Sequence, residues 1–127
     1  TSSGPGNISF APKIDFPTGF LGAGPFSVTY ADFDGDGKTD LAVANSTSNQ
    51  IGVLLNLSTA AGTINFAIPL YFSIGAGTQP YSIAANDLDG DGKVDLATAN
   101  VNSASVSVFL NNSSGTGDID FSSRYDF

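Results

Sequence analysis

The sequence predicts an all-β protein built from two four-stranded antiparallel β-propeller blades plus one extra outer strand. Its composition favours Gly, Ser, Thr, Asn, Val, Ile and Phe, and all 12 acidic residues are Asp. Short strands joined by tight turns have this composition. A long segment also recurs, and each copy contains four apolar runs separated by turn residues. Four strands in a period of this size are typical of a propeller blade.

The repeat is visible over most of the chain. Residues 27–56 match residues 82–111 at about half of their positions, with an offset of 55. A shorter Gly-x-Ile-x-Phe element begins at Gly6, Gly62 and Gly117. An internal period is the strongest guide to architecture in such a chain. The competing interpretation is a β-sandwich with a duplicated pair of hairpins.

Each predicted strand follows from alternation between turn signals. In the first unit, Val28 and Tyr30 share one face of a strand at 26–33, and Ile51, Val53 and Leu55 alternate along a strand at 51–56. The remaining strands of this unit are predicted at 40–45 and 64–72. The second unit repeats them at 81–88, 95–100, 104–111 and 119–127.

The predicted organisation is one repeat domain over residues 1–127. Residues 1–24 would be the outer strand of a preceding blade, at 8–16, followed by a linker. Residues 25–72 would be blade one and residues 73–127 blade two. Two blades cannot close a ring, so we expect either a homo-oligomer that completes one or a piece of a longer array. The open faces are expected to carry Val28, Val53 and Leu55 at one end, and Ile83, Val108 and Leu110 at the other.

Charge and composition exclude several classes of function. The formal net charge is −8, with only four Lys and Arg residues, so no basic surface for nucleic acid is expected. Cys, His, Met and Trp are absent, which excludes disulfides and sites built on thiolate or imidazole. The apolar runs are too short to predict a membrane-spanning helix.

Two acidic segments carry the predicted chemistry. Residues 32–40 and 87–95 each place Asp at positions 1, 3, 5 and 9, Gly at position 6 and Lys at position 7. Crowded carboxylates need a cation, and hard oxygen ligands around a Gly turn favour Ca²⁺. We therefore predict two Ca²⁺ sites, in which each Lys offers its backbone oxygen and extends its ammonium group into solvent. The predicted ligands are Asp32, Asp34, Asp36, Lys38 and Asp40 in the first segment, and Asp87, Asp89, Asp91, Lys93 and Asp95 in the second.

The acidic segments differ from an EF-hand. Position 12 is Val43 in one and Thr98 in the other, instead of a bidentate Glu, and strands flank the segments. A soft-metal site is not expected because nitrogen and sulfur ligands are lacking.

At this point the chain resembles the FG-GAP (VCBS-type) repeats, which occur in integrin α-subunit propellers and in secreted or surface bacterial proteins. The resemblance rests on the Asp-x-Asp-Gly-Asp-Gly-Lys-x-Asp-Leu segments and on degenerate Phe-Gly and Gly-Ala-Pro parts at 20–25 and 72–77. It implies one Ca²⁺ per loop on the rim of a propeller. It also implies a role in adhesion or ligand binding at the cell surface or outside the cell.

The expected function is a non-enzymatic, calcium-binding module with a structural, adhesion or ligand-binding role. A lectin-like propeller for glycans is the main alternative, and a metal-dependent hydrolase is a weaker one. The recurring Phe residues are expected to pack between blades. Five Asn-x-Ser/Thr sequons are attributed mostly to composition: Asn7, Asn45, Asn56, Asn111 and Asn112.

Overall fold

The computed structural model describes Gly6 and residues 9–127, and this part of the chain contains strands and no helix. Four strands form sheet one: β1 (Pro25–Ala31), β2 (Asp40–Asn45), β3 (Gln50–Leu54) and β4 (Leu70–Ser73). Four more form sheet two: β5 (Pro80–Asn86), β6 (Asp95–Asn100), β7 (Ser105–Leu110) and β8 (Ser123–Asp126). Each sheet is antiparallel with its strands in chain order. The all-β prediction is confirmed; two sheets form no closed ring, so the blade description stays a prediction.

The inner strands match their predicted positions, whereas the outer strands are shorter than predicted. The fourth strand of sheet one was expected at 64–72, but only a single bridge between Asn56 and Phe66 precedes β4. Pro69 has no N–H to contribute to a ladder there. In sheet two, the Asp120 side chain accepts the Ser122 N–H at 2.8 Å, and such local bonds compete with strand pairing.

The predicted extra outer strand is wrong over the described residues, because residues 9–18 form no strand. Ile8 lies outside the described residues. Pro12 and Pro17 each remove a backbone donor from this segment. The segment still contacts sheet one, since Asn45 Nδ2 in β2 donates to the Thr18 carbonyl oxygen at 2.6 Å. The Phe16 ring also meets Phe66, in the stretch before β4, edge-on with 5.2 Å between centroids. The chain therefore reaches sheet one as irregular backbone held by an aromatic side chain.

The two sheets pack face to face, and the hydrophobic core lies between them. Sheet one contributes Ala42, Ala44, Ile51 and Val53, which are fully buried. Sheet two contributes Ile83, Leu96 and Phe109. The expectation that Val53, Leu55 and Ile83 lie on open faces is therefore wrong. Val53 and Ile83 are buried in this interface, and Leu55 is partly buried against it.

Phe121 lies at the centre of the aromatic contacts between the sheets. Its ring meets Phe33 at 5.7 Å and Phe72 at 5.5 Å between centroids, both edge-to-face. Packing between repeats was the predicted role of the recurring Phe residues, and Phe72 and Phe121 have it. Phe10 and Phe127 do not, since both are largely exposed.

Candidate metal centre

The two acidic loops occupy equivalent places in the sheets. Acidic loop one (residues 32–40) joins β1 to β2, and acidic loop two (residues 87–95) joins β5 to β6. Gly37 and Gly92 have φ angles of 84° and 90°, a region that side chains with a Cβ rarely adopt. The sixth-position Gly thus permits the sharp turn that the sequence predicts.

The last Asp of each loop is a buried anchor. Asp40 accepts the N–H groups of Phe33 (2.9 Å) and Asn56 (2.8 Å). Asp95 accepts those of Leu88 (2.8 Å) and Asn111 (2.9 Å). Each carboxylate therefore joins the start of its loop to the end of the third strand.

Burial raises the pKa of Asp40, and the nearby Asp34 and Asp36 carboxylates raise it further, against the lowering effect of the two backbone N–H groups. The charged form of this group is thus disfavoured by its surroundings in the protein alone. A cation beside it would favour the charged form.

The first Asp of each loop shapes the backbone. Asp32 accepts the N–H groups of Gly35 (2.8 Å), Asp36 (3.1 Å) and Gly37 (2.9 Å). Asp87 makes the corresponding bonds to Gly90 and Gly92, at 2.7 and 3.0 Å. The loop backbone consequently folds around this carboxylate. Each of its oxygens has a further lone pair, so the group can accept these N–H bonds and also bind a cation.

Three carboxylates meet in each loop. One oxygen from each of Asp32, Asp34 and Asp40 lies within 4.8 Å of the others, and Asp87, Asp89 and Asp95 do the same. These donors are hard, anionic oxygens, so the donor set fits a hard cation such as Ca²⁺. The structure thus brings together positions 1, 3 and 9 of the predicted ligand set in both loops.

The fifth-position Asp36 and Asp91 are not in these clusters. Asp36 instead accepts the Lys38 ammonium at 2.7 Å and the Lys38 N–H at 2.8 Å, and these bonds lower the pKa of Asp36. Asp91 accepts the Lys93 N–H at 2.8 Å. Their roles as ligands, and those of the Lys38 and Lys93 carbonyl oxygens, stay predictions.

The Lys38 and Lys93 side chains were predicted to extend into solvent, but each ammonium group bonds to the protein. The Lys38 ammonium is bound to Asp36, which raises the pKa of Lys38. The Lys93 ammonium donates to the Ser113 carbonyl oxygen at 2.9 Å, in the segment that follows β7. Both Lys residues therefore stabilise loop conformation as well as reducing the negative charge.

The sequence did not identify Asn111 and Gly117 as residues of the site. Asn111 Nδ2 donates to the carbonyl oxygens of Phe33 (2.9 Å) and Val94 (3.0 Å), and so connects the two loops. The Gly117 N–H donates to Asp34 Oδ2 at 2.6 Å. The available signal was that Asn56 and Asn111 recur at the repeat spacing, but their sequons suggested only composition.

Fold and site together define an antiparallel β-repeat with an acidic, cation-suited loop between its first two strands. A family model described as the FG-GAP-like repeat matches residues 1–43 and 32–98, which is more than half of the chain. The chain therefore belongs to the FG-GAP-like repeat family; the finer VCBS type stays a prediction. No match was found among curated proteins or among solved structures. No helix that could span a membrane occurs among the residues that the structure describes.

Proposed function

We propose that this chain is a calcium-binding β-propeller repeat module with a structural, adhesion or ligand-binding role outside the cell or at its surface. The observation that carries the proposal is the pair of equivalent carboxylate clusters, Asp32–Asp34–Asp40 and Asp87–Asp89–Asp95. Each cluster lies between the first two strands of its sheet. Family membership supports the blade description, since such repeats form propeller-like modules.

Calcium is favoured over other cations by the ligand chemistry. Ca²⁺ takes six to eight oxygen ligands in flexible geometry, which a loop of carboxylates and carbonyls can supply. Zn²⁺ and related metals prefer the imidazole and thiolate ligands that this chain lacks. Bound Ca²⁺ would also offset the repulsion among the carboxylates of each loop.

A non-enzymatic role is supported by the similarity of the two clusters. Both use the first, third and ninth positions of the loop, and both anchor the ninth-position carboxylate on two backbone N–H groups. A catalytic site requires its chemistry in one place only, so repetition favours a structural role for the metal.

Calcium titration tests the proposal directly. Calorimetry with calcium chloride should detect two equivalents per chain, and Asp34→Ala and Asp89→Ala should each remove one. Extracellular modules typically bind with dissociation constants of about 10⁻⁴–10⁻³ M. At a hundredfold excess over that constant, each site adds about 2.7 kcal/mol to the free energy of unfolding. A heat of calcium binding unaffected by either substitution would contradict the proposal. So would a melting temperature that is equal in EGTA and in calcium at a hundredfold excess over that constant.

The bare faces of the two sheets support assembly with further copies of the repeat. Ile83 is 6% exposed in the interface between the sheets, whereas Val28, its repeat counterpart, is 60% exposed. Val28 borders an apolar groove of about 400 Å³ on sheet one, together with Phe16, Phe26 and Val43. At the other end, Val106 is exposed although its counterpart Ile51 is fully buried. The exposed counterparts of both sides of the internal interface are thus available, and two copies of the chain can form the same contact between them.

Light scattering on the isolated chain measures this assembly. Propellers contain roughly four to eight blades, so a trimer or tetramer would supply a suitable number. Val28→Asp should shift the mass towards the monomer by placing a charge in the contact. A monomer at all concentrations, with a cooperative melt, would rule out assembly of this chain with itself.

A further inference from the structure

Acidic loop one is held by residues of the other sheet. The Gly117 N–H donates to Asp34 Oδ2 at 2.6 Å, and Asn111 Nδ2 donates to the Phe33 carbonyl oxygen at 2.9 Å. Both donors lie in the segment that follows β7 of sheet two. The third-position carboxylate of loop one and the backbone beside it are therefore fixed across the sheet interface.

Acidic loop two is not held in the same way over the residues that the structure describes. Asp89 is exposed, whereas Asp34 is buried. Leu88, which precedes Asp89, is 50% exposed, whereas its counterpart Phe33, which precedes Asp34, is 2% exposed. The Asp89 carboxylate accepts the Asp91 N–H at 3.0 Å, inside its own loop. The two clusters thus have matching ligands but different surroundings.

The donor to Asp34 lies in a loop that closes on itself, which we call the clamp loop (residues 113–118). The N–H and hydroxyl groups of Ser114 donate to Asp118 Oδ2 at 2.8 and 2.6 Å, and these bonds lower the pKa of Asp118. The Asp118 N–H donates to the Gly115 carbonyl oxygen at 2.9 Å. These bonds set the direction of the Gly117 N–H, whose residue has a φ angle of 78°.

We propose that the clamp loop positions Asp34 of acidic loop one for its cation, so that the loop-one site binds calcium more tightly than the loop-two site. This inference rests on the proposed calcium-binding function. Groups that orient a metal ligand from outside the coordination shell typically change metal affinity by about 10–100-fold. A carboxylate already held in place also loses less conformational freedom when the cation binds.

The test isolates the loop-one site by the Asp89→Ala substitution and measures calcium affinity by calorimetry. Every chain compared also carries Val28→Asp, so that no second copy covers acidic loop two. Adding Asp118→Ala opens the clamp loop and should weaken calcium binding at loop one by roughly 10-fold. Asp118→Asn removes the same charge but keeps an oxygen that can accept both Ser114 bonds, so it should retain the affinity. The matched control is Thr63→Ala, because Thr63 has the position of Asp118 in the corresponding loop of sheet one. Its N–H and hydroxyl groups donate to the Ala60 carbonyl oxygen within that loop.

A chain with Asp34→Ala reports on the loop-two site. Its calcium affinity should be lower than that of the Asp89→Ala chain. Asp118→Ala should change this affinity less than it changes the affinity of the loop-one site, because the clamp loop meets acidic loop two through the Lys93 ammonium and not through a carboxylate of the cluster. If the Asp89→Ala chain binds calcium with the same affinity with and without Asp118→Ala, the inference is overturned, although the proposed calcium binding stands. An equal loss in Asp118→Ala and Asp118→Asn would also overturn it, because charge alone would then explain the effect. Absence of calcium binding to both single-site chains would overturn the proposed function as well.

Discussion

Replacing Phe121 by alanine is expected to lower the free energy of unfolding by about 3–5 kcal/mol. Phe121 is 1% exposed, and its ring packs edge-to-face on Phe33 and Phe72. The substitution therefore removes apolar contact area and two aromatic pairs, and leaves a cavity between the sheets. The loss approaches the total stability of a marginal domain, so the variant is expected to unfold at low urea concentration.

The control for Phe121 is its repeat counterpart Phe10, which is 89% exposed. Phe10→Ala should change the free energy of unfolding by less than about 0.5 kcal/mol, because surface substitutions away from special contacts have small effects. Urea unfolding in EGTA compares the two variants without a contribution from metal. Similar midpoints for Phe10→Ala and Phe121→Ala would show that the aromatic contacts do not hold the sheets together.

Replacing Asp95 by alanine is expected to destabilise the chain even when calcium is absent. Its carboxylate is buried and accepts the N–H groups of Leu88 and Asn111. Loss of the acceptor of the buried Asn111 N–H costs about 1–3 kcal/mol, and loss of the part-buried Leu88 bond adds a smaller cost because water can reach that N–H. Relief of repulsion from Asp87 and Asp89 offsets only part of this cost, since Asp89 is exposed to water.

The Asp91→Ala variant is the control that distinguishes the structural role of Asp95 from its predicted role as a ligand. Both residues are predicted ligands of the same cation, but Asp91 is exposed and accepts the Lys93 N–H at the surface. In EGTA, Asp91→Ala should cost less than about 1 kcal/mol. Asp95→Asn should fall between the two alanine variants, because its amide keeps one acceptor oxygen. Equal stability of Asp91→Ala and Asp95→Ala under these conditions would contradict the anchoring role of Asp95.

Much of the architecture could be predicted because the repeat and the side-chain alternation are local signals. The strands β2 and β6 begin and end at the predicted residues, and the acidic loops join the expected strands. The outer strands are less predictable, because their extent depends on pairing with β3 and β7. Pro69 and the Asp120 side chain interrupt that pairing, whereas the Ile64–Phe66–Ile68 alternation suggested an uninterrupted strand.

The parts of the candidate site that could not be predicted come from contacts between the repeats. The spacing of Asp residues identified the three carboxylates that meet in each loop. Nothing in that spacing indicates that Gly117 binds Asp34, since these residues are 83 positions apart and the bond depends on how the sheets pack. The same limit explains why the exposed ends were partly misassigned: alternation tells which residues share a face, but not which face meets the neighbouring sheet.

The contact between Phe16 and Phe66 has a consequence for how such chains can be lengthened. It repeats the contact between Phe72 and Phe121, although residues 9–18 form no strand. Each sheet is thus secured by an aromatic ring that arrives from the preceding stretch of chain. The unit that can be duplicated without losing a packing partner therefore runs from one such ring to the next, from Phe16 to just before Phe72. The boundary of this unit therefore lies before the sheet that the ring packs against. An insertion between the two sheets would separate Phe72 from Phe121.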